Sequence, residues 1–233
     1  LKNSTLSEEN ISQELVDKFL EISIREFEER TWGSTQQFLE VLEIAIEDGK
    51  PLITRVQYID SGYAVYFKIK GSKFYYTHYF EVDSAIELIG IDITPSSIVL
   101  LRVLSNNLDL QEILSKTSLP ATSTWQKGDM RPPKKLASFV YKTSGFEIEL
   151  DKNHAGQFER KILELLNYLK PYQKDLALLK KAGCELFVDT YWEAYISNTL
   201  IGGFSLNQKI IRQLDKLGLE ISFDIQVNGN PLK

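Results

Sequence analysis

Cysteine is almost absent from this chain: Cys184 stands alone, which rules out an internal disulfide and favours a reducing compartment. Histidine is nearly as scarce, with only His78 and His154, so no clustered Cys/His set exists to hold zinc. A carboxylate-only magnesium or calcium site stays open, although no EF-hand spacing occurs. Neither the P-loop pattern nor the dinucleotide glycine pattern is found, and no G-x-S-x-G elbow accompanies either histidine. No apolar run approaches the roughly 18–20 residues that span a bilayer. The opening Leu1-Lys2-Asn3-Ser4-Thr5 leads into no signal-peptide core. The expectation is a cytoplasmic protein with no catalytic residues, no metal, no cofactor and no membrane contact.

Negative charge is what the chain has in excess, and it is unevenly placed. The net charge is −5. Residues 1–49 hold twelve carboxylates, among them Glu26, Glu28 and Glu29, against four basic residues, so this segment carries −8 and the remainder +3. Such a field repels nucleic acid and steers a basic protein towards it, an effect that salt screens. Amphipathic helices with solvated acidic outer faces would give the same count without a partner.

Periodicity places two helices in that acidic stretch. Ile11, Leu15, Val16, Phe19 and Leu20 follow the helical period after Ser7 as a candidate cap, giving a helix over 11–29 closed by Trp32-Gly33. Ser34 and Gln37 form a capping-box pattern before Phe38, Val41, Leu42, Ala45 and Ile46. This gives a second helix over 34–48, stopped by Gly49 and Pro51. Three strands follow, Leu52–Ile59, Tyr63–Lys70 and Phe74–Val82, with antiparallel turns at Asp60-Ser61-Gly62 and Gly71-Ser72. Alternation groups Tyr63, Val65, Phe67 and Ile69 on one face of the middle strand. In the third, Phe74, Tyr76, His78 and Phe80 oppose Tyr75, Thr77 and Tyr79. Two helices can cover one face only. The other, bearing Tyr66, Tyr75 and Tyr79 with Lys68 and Lys70, either packs on a second domain or meets a partner.

Ile91–Ser97, with Pro95 flanked by Ser and Thr, is the candidate boundary between units 1–94 and 95–233. Beyond it come a strand at Ile98–Leu104, a short helix at Leu108–Lys116 begun by Asp109, and a polar loop over Thr117–Lys135. Strand material follows at Ser138–Tyr141 and Phe146–Leu150. A helix on Phe158, Ile162, Leu165, Leu166 and Leu169 is restarted by Pro171 and ended by Gly183. Then come a strand at Cys184–Val188, the aromatic run Tyr191–Tyr195, and a helix capped by Ser205 and ended by Gly218. The closing strand alternates, with Leu219, Ile221, Phe223, Ile225 and Val227 inward. The fold class is therefore α+β: an N-terminal helix pair on an antiparallel meander, then a ferredoxin-like, split βαβ unit.

Two short motifs stand out in the second unit: Thr122-Ser123-Thr124-Trp125-Gln126-Lys127-Gly128-Asp129 and Tyr141-Lys142-Thr143-Ser144-Gly145-Phe146. With Leu165-Leu166-Asn167, Leu169-Lys170-Pro171 and the ending from Gly202-Gly203-Phe204 to Phe223-Asp224-Ile225, they resemble the bacterial domain of unknown function 4279 family over about residues 97–228. Phe146 stands where that family commonly has Trp. The resemblance implies a bacterial source and a small α/β module, and it brings no agreed catalytic residues. Its association with toxin genes implies an immunity protein.

Each remaining chemical candidate has a plainer reading. Cys184, with no electropositive helix N-terminus beside it, reads as a small buried hydrophobe. Glu147 and Glu149 alternate with Phe146, Ile148 and Leu150 and so read as the solvent side of a strand. In the motif loop, Trp125 could stack on a ring while Lys127, Arg131, Lys134 and Lys135 hold phosphate. Alternatively Trp125 anchors the loop and Lys127 pairs with Asp129 across Gly128. The function expected is therefore a non-enzymatic immunity protein that occludes the active site of a basic toxin domain. Glu26, Glu28 and Glu29 would supply association rate, and Tyr66, Tyr75 and Tyr79 the anchors. The alternative is a nucleic-acid or nucleotide binder on the same tyrosine face with Lys68, Lys70 and Lys73, which global acidity opposes. A carboxylate-based hydrolase is third.

Overall fold

A stripe of Leu15, Phe19, Ile22 and Phe27 gives the first helix the apolar face it buries. The computed structural model describes residues 11–59, 62–131, 140–197 and 203–232. In it α1 spans Gln13–Glu29, and Ser12 caps it by accepting from the Leu15 amide. The expected cap, Ser7, lies outside the described residues. α2 is only Gly33–Leu39, against the expected 34–48, and Ser34 does not cap it; Trp32 holds that position without a side-chain bond. The chain beyond Leu39 goes to sheet bonding. Ala45 donates to the Lys68 carbonyl and Lys70 donates to that of Glu43. A hairpin of β1 (Ile46–Glu47) and β2 (Lys50–Pro51) turns on Asp48 and Gly49, both at positive φ. Asp-Gly is a strong hairpin signal, and here it overrides the helical spacing of Val41 and Ala45.

The first sheet has four antiparallel strands in sequence order, β3 (Ile53–Ile59), β4 (Gly62–Lys68), β5 (Tyr75–Val82) and β6 (Ile86–Thr94). The fourth is not evident from the sequence, where Glu87, Gly90 and Asp92 interrupt the apolar run. Val65, Phe67, Ile69, Tyr76 and Phe80 join Phe19 and Phe38 beneath the helices in one apolar cluster, as the alternation implied. Only Pro95 separates β6 from β7 (Ser96–Ser105), so the chain passes straight from one sheet into the next.

α3 (Leu110–Leu114) starts at Asp109 with a full capping box to Glu112. β8 (Ser123–Trp125) lies inside the stretch read as a loop; β9 is Ser144–Glu149. Half of the strand expected at Ser138–Tyr141 falls outside the described residues, and of the other half Val140 bridges Met130. α4 (Phe158–Leu169) passes through a 3-10 turn at Lys170–Tyr172 into α5 (Gln173–Lys181). Cys184–Val188 and the aromatic run belong to one eleven-residue strand, β10 (Glu185–Tyr195). α6 (Gln208–Leu217) is capped by Asn207, not Ser205, and β11 is Glu220–Asn228.

The second sheet runs β11-β10-β7-β9-β8. Leu101, Val103, Phe146, Ile148 and Val188 on it join Ile162, Leu166 and Leu214 from the helices in a second cluster. A split βαβ unit inserts an antiparallel strand between its two parallel strands, so that no neighbouring pair is parallel. Here β7 and β9 are antiparallel, and the parallel pair is β10 with β11, connected through α6. The architecture is α+β, with this departure from the ferredoxin-like pattern. β11 alternates as expected, yet it is an edge strand, and Phe223, Ile225 and Val227 are exposed instead of inward. The length of β10 ties the halves together: Tyr195 at its end packs against Phe38 and Phe74 of the first cluster. No described helix is long and apolar enough to cross a membrane.

Candidate functional site

The acidic N-terminal stretch gives α1 an acidic outer side. Within residues 11–49, Glu14, Asp17, Glu21, Glu28, Glu29, Glu40, Glu43, Glu47 and Asp48 are exposed. Phe19 packs on Phe80 with ring centroids 4.6 Å apart, which sets the first half of α1 beside the β5–β6 turn. That turn exposes Glu81, Asp83 and Glu87. Their addition to the acidic side was invisible in sequence, where more than thirty residues separate them from α1.

Glu26 has a different job from its neighbours. It is buried, accepts from the Thr31 and Trp32 amides at 3.3 and 3.1 Å, and also accepts from the Thr31 hydroxyl. Burial raises its carboxyl pKa, but these hydrogen bonds outweigh that and hold it below the usual carboxylate range. Glu26 therefore fixes the α1–α2 turn. The turn presents Trp32, 37% exposed, beside a cleft of about 160 Å³ walled by Ile22, Arg25, Glu26, Glu29 and Leu88. An indole with Glu29 next to it suits a cationic side chain, which gains from ring face and carboxylate together. Sequence reading used Trp32 only as a helix closer. The available signal was its lack of any place in the apolar period.

The tyrosine face is packed against the second half of the chain. Tyr66 and Tyr75 are 2% and 6% exposed, in a cluster with Ala64 and Ala155, and Tyr79 is half-buried. The segment 151–157 lies across them. Arg55 pairs with Asp151 at 2.7 Å and donates to the Ala155 carbonyl at 2.8 Å; Asn153 donates to the Thr54 carbonyl at 2.6 Å. The Gln57 side-chain oxygen accepts from both the Gln157 amide and the Tyr66 hydroxyl. Burial pushes the phenols of Tyr66 and Tyr75 upward and that of Tyr79 to about 12. Of the two readings of this face, internal packing describes Tyr66 and Tyr75, and neither is available as a surface anchor. Lys68 is also engaged, donating to the Ser72 carbonyl at 2.6 Å.

The motif loop is held from within. Trp125 is buried, stacked on Tyr141 at 5.3 Å, and lies on Gly145, where a Cβ would come within 2.8 Å of the indole. Lys127 donates to the Asn106 carbonyl at 3.1 Å and does not pair with Asp129; Asp129 instead accepts from the Gln126 amide at 3.1 Å. Gly128, at φ 95°, donates to the Tyr141 carbonyl. Arg131 covers the Tyr141 ring at 5.0 Å, and Lys134 and Lys135 lie outside the described residues.

The strand carboxylates Glu147 and Glu149 and the lone Cys184 are likewise paired or enclosed. Arg102 joins Glu147 and Asp189 on the sheet face away from the helices, and Glu149 meets His154 at 3.2 Å. Cys184 is buried, and that burial pushes its thiol up. Among the described residues no three His, Cys, Asp or Glu side chains are placed to hold a metal ion.

What the fold and these sites define is an α+β chain with an acidic helical side and a separately cored sheet of mixed strands. The family described as Domain of unknown function (DUF4279) matches residues 94–228, more than half of the chain, and the chain belongs to that family. The match begins at the last residue of β6, so α1, α2 and nearly all of the first sheet lie outside it. No curated protein and no solved structure matches the chain.

Proposed function

We propose that this chain is a non-enzymatic binding protein whose acidic side receives a basic protein, and that its role is immunity, the occlusion of a toxin domain. The observation that carries this reading is the row of exposed carboxylates on α1, joined by those of the β5–β6 turn, with an exposed Trp32 beside Glu29. The carboxylates supply steering; Trp32 and its cleft supply the anchor, taking an Arg or Lys side chain of the partner. Buried Tyr66 and Tyr75 leave the nucleic-acid reading without its stacking platform.

Capture from the source cell followed by stopped-flow kinetics at two ionic strengths tests this. Glu21→Gln, Glu28→Gln and Glu29→Gln together should slow association several-fold at low salt and little at high salt. Trp32→Ala should leave association nearly unchanged and speed dissociation by about 30-fold, equivalent to about 2 kcal/mol. Recovery of nucleic acid in place of a basic protein, or unchanged kinetics in both variants, would count against the reading.

A further inference from the structure

A second cavity, about 130 Å³, lies between the two sheets. The rings of Tyr66, Tyr79, Phe158, Trp192 and Phe204 line it together with Ser97, and the first turn of α4 opens onto it. Two kinds of hydrogen-bond donor meet here without an acceptor among the described residues. Ser97 is 1% exposed, and its hydroxyl is buried with no partner. α4 is twelve residues long, yet Gln157 at its cap position makes no side-chain capping bond. The first-turn amides, which have no partner inside a helix, therefore receive none from a cap. The one carboxylate of that turn, Glu159, is engaged by the Ser205 amide at 2.6 Å.

We propose that this cavity binds a small ring-bearing carboxylate, about the size of benzoate. Its carboxylate accepts from the α4 amides and from Ser97, and its ring lies against Trp192 and Phe204. A helix N-terminus favours an anion both by its free N–H groups and by its dipole. The aromatic wall favours an apolar body behind that anion, and the cavity opens to solvent, so a ring-sized ligand need not be wholly enclosed. Lys161 adds charge close by: its buried ammonium donates to the Ser97 carbonyl at 2.7 Å. Burial pulls that amine down to about 7, with Arg55 adding to the fall and Asp151, Glu164 and Glu149 opposing it, and a further anion nearby favours its charged form. Binding should therefore weaken as pH rises above about 7.

Calorimetric titration of the full chain with benzoate, benzyl alcohol and inorganic phosphate tests the assignment. Benzoate should bind saturably at one site, with benzyl alcohol and phosphate each at least about tenfold weaker, since each lacks one half of the recognition. Ser97→Ala should weaken benzoate by about threefold to tenfold while the far-UV CD melt stays in place. Nitrogen-labelled wild-type protein, which involves no substitution, should show shifts at the Phe158, Glu159 and Arg160 amides. The α1 variants used for partner binding should bind benzoate normally, so the two readings fail separately. Absence of saturable benzoate binding, equal binding of benzyl alcohol, or saturation that leaves those amides unmoved would overturn the proposal.

Discussion

His78 shows how much one side chain depends on what closes over it. Its ring is fully buried among Phe27, Phe67 and Tyr76, with Nδ1 2.8 Å from the Ser23 hydroxyl and no partner for Nε2 among the described residues. Burial pulls the imidazole down to about 3, although Glu26 pulls the other way. The unfolded chain takes up a proton near pH 6.5, and the folded chain resists until about pH 3. Between those values the unfolded state binds more protons, so stability is full above about 6.5 and falls as pH falls, by up to about 1.4 kcal/mol per unit. Urea unfolding from about pH 6 to about pH 5, below the range in which Lys161 titrates and above the carboxylate range, should show that slope in the wild type and lose it in His78→Phe. Equal slopes would refute the burial of a neutral ring. From sequence, His78 was correctly placed on the face of Tyr76 and Phe80, because strand alternation needs no tertiary knowledge. Its loss of charge was not legible, since it depends on α1 covering that face.

Among the elements, the strongest periodicities survived and the short ones did not. α1, β4, β5, α4 and α5 stand close to where apolar spacing put them, and Asp109 and Gly218 act as the start and stop signals they resemble. The second helix stops at Leu39 because the chain beyond it bonds to the sheet and turns as a hairpin at Asp48-Gly49, two consecutive residues at positive φ. Gly49 sits at φ 77° with open space around it, whereas Gly33 in α2 has ordinary φ and is equally unobstructed. Gly49→Ala should therefore destabilise by about 1 kcal/mol through the left-handed conformation alone, and Gly33→Ala should be neutral or stabilising. Thermal melts of the two variants decide it: similar changes in both would mean the turn conformation is not the cause. β11 failed differently. Its alternation was read correctly, but its edge position, and hence the exposure of Ile225 and Val227, follows from strand order alone.

The whole molecule is held by contacts that cross from one sheet to the other. Arg55 on β3 reaches Asp151 and the Ala155 carbonyl, Arg160 donates to the Tyr58 carbonyl, and Lys73 pairs with Glu193. The Lys73 pair is exposed at the lysine and contributes little. Arg55 and Asp151 are mostly covered, with side chains 12% and 22% exposed, so removing the guanidinium strands an acceptor and a carboxylate. Arg55→Ala should cost about 2 kcal/mol by urea unfolding, against less than about 0.5 for Lys73→Ala, and equal losses would refute this ranking. By itself the sequence determined the α+β class, the acidic first fifty residues, the facing of side chains along β4 and β5, and the family of residues 94–228. Those properties live in local spacing and composition, which the chain carries whether folded or not. Tertiary structure alone decided that Tyr66 and Tyr75 are covered while Trp32 is left open, and that Glu26 is a buried joint while Glu28 and Glu29 are surface charge. Burial is a property of what lies across a residue in space, and here the covering segment 151–157 is about a hundred residues away along the chain.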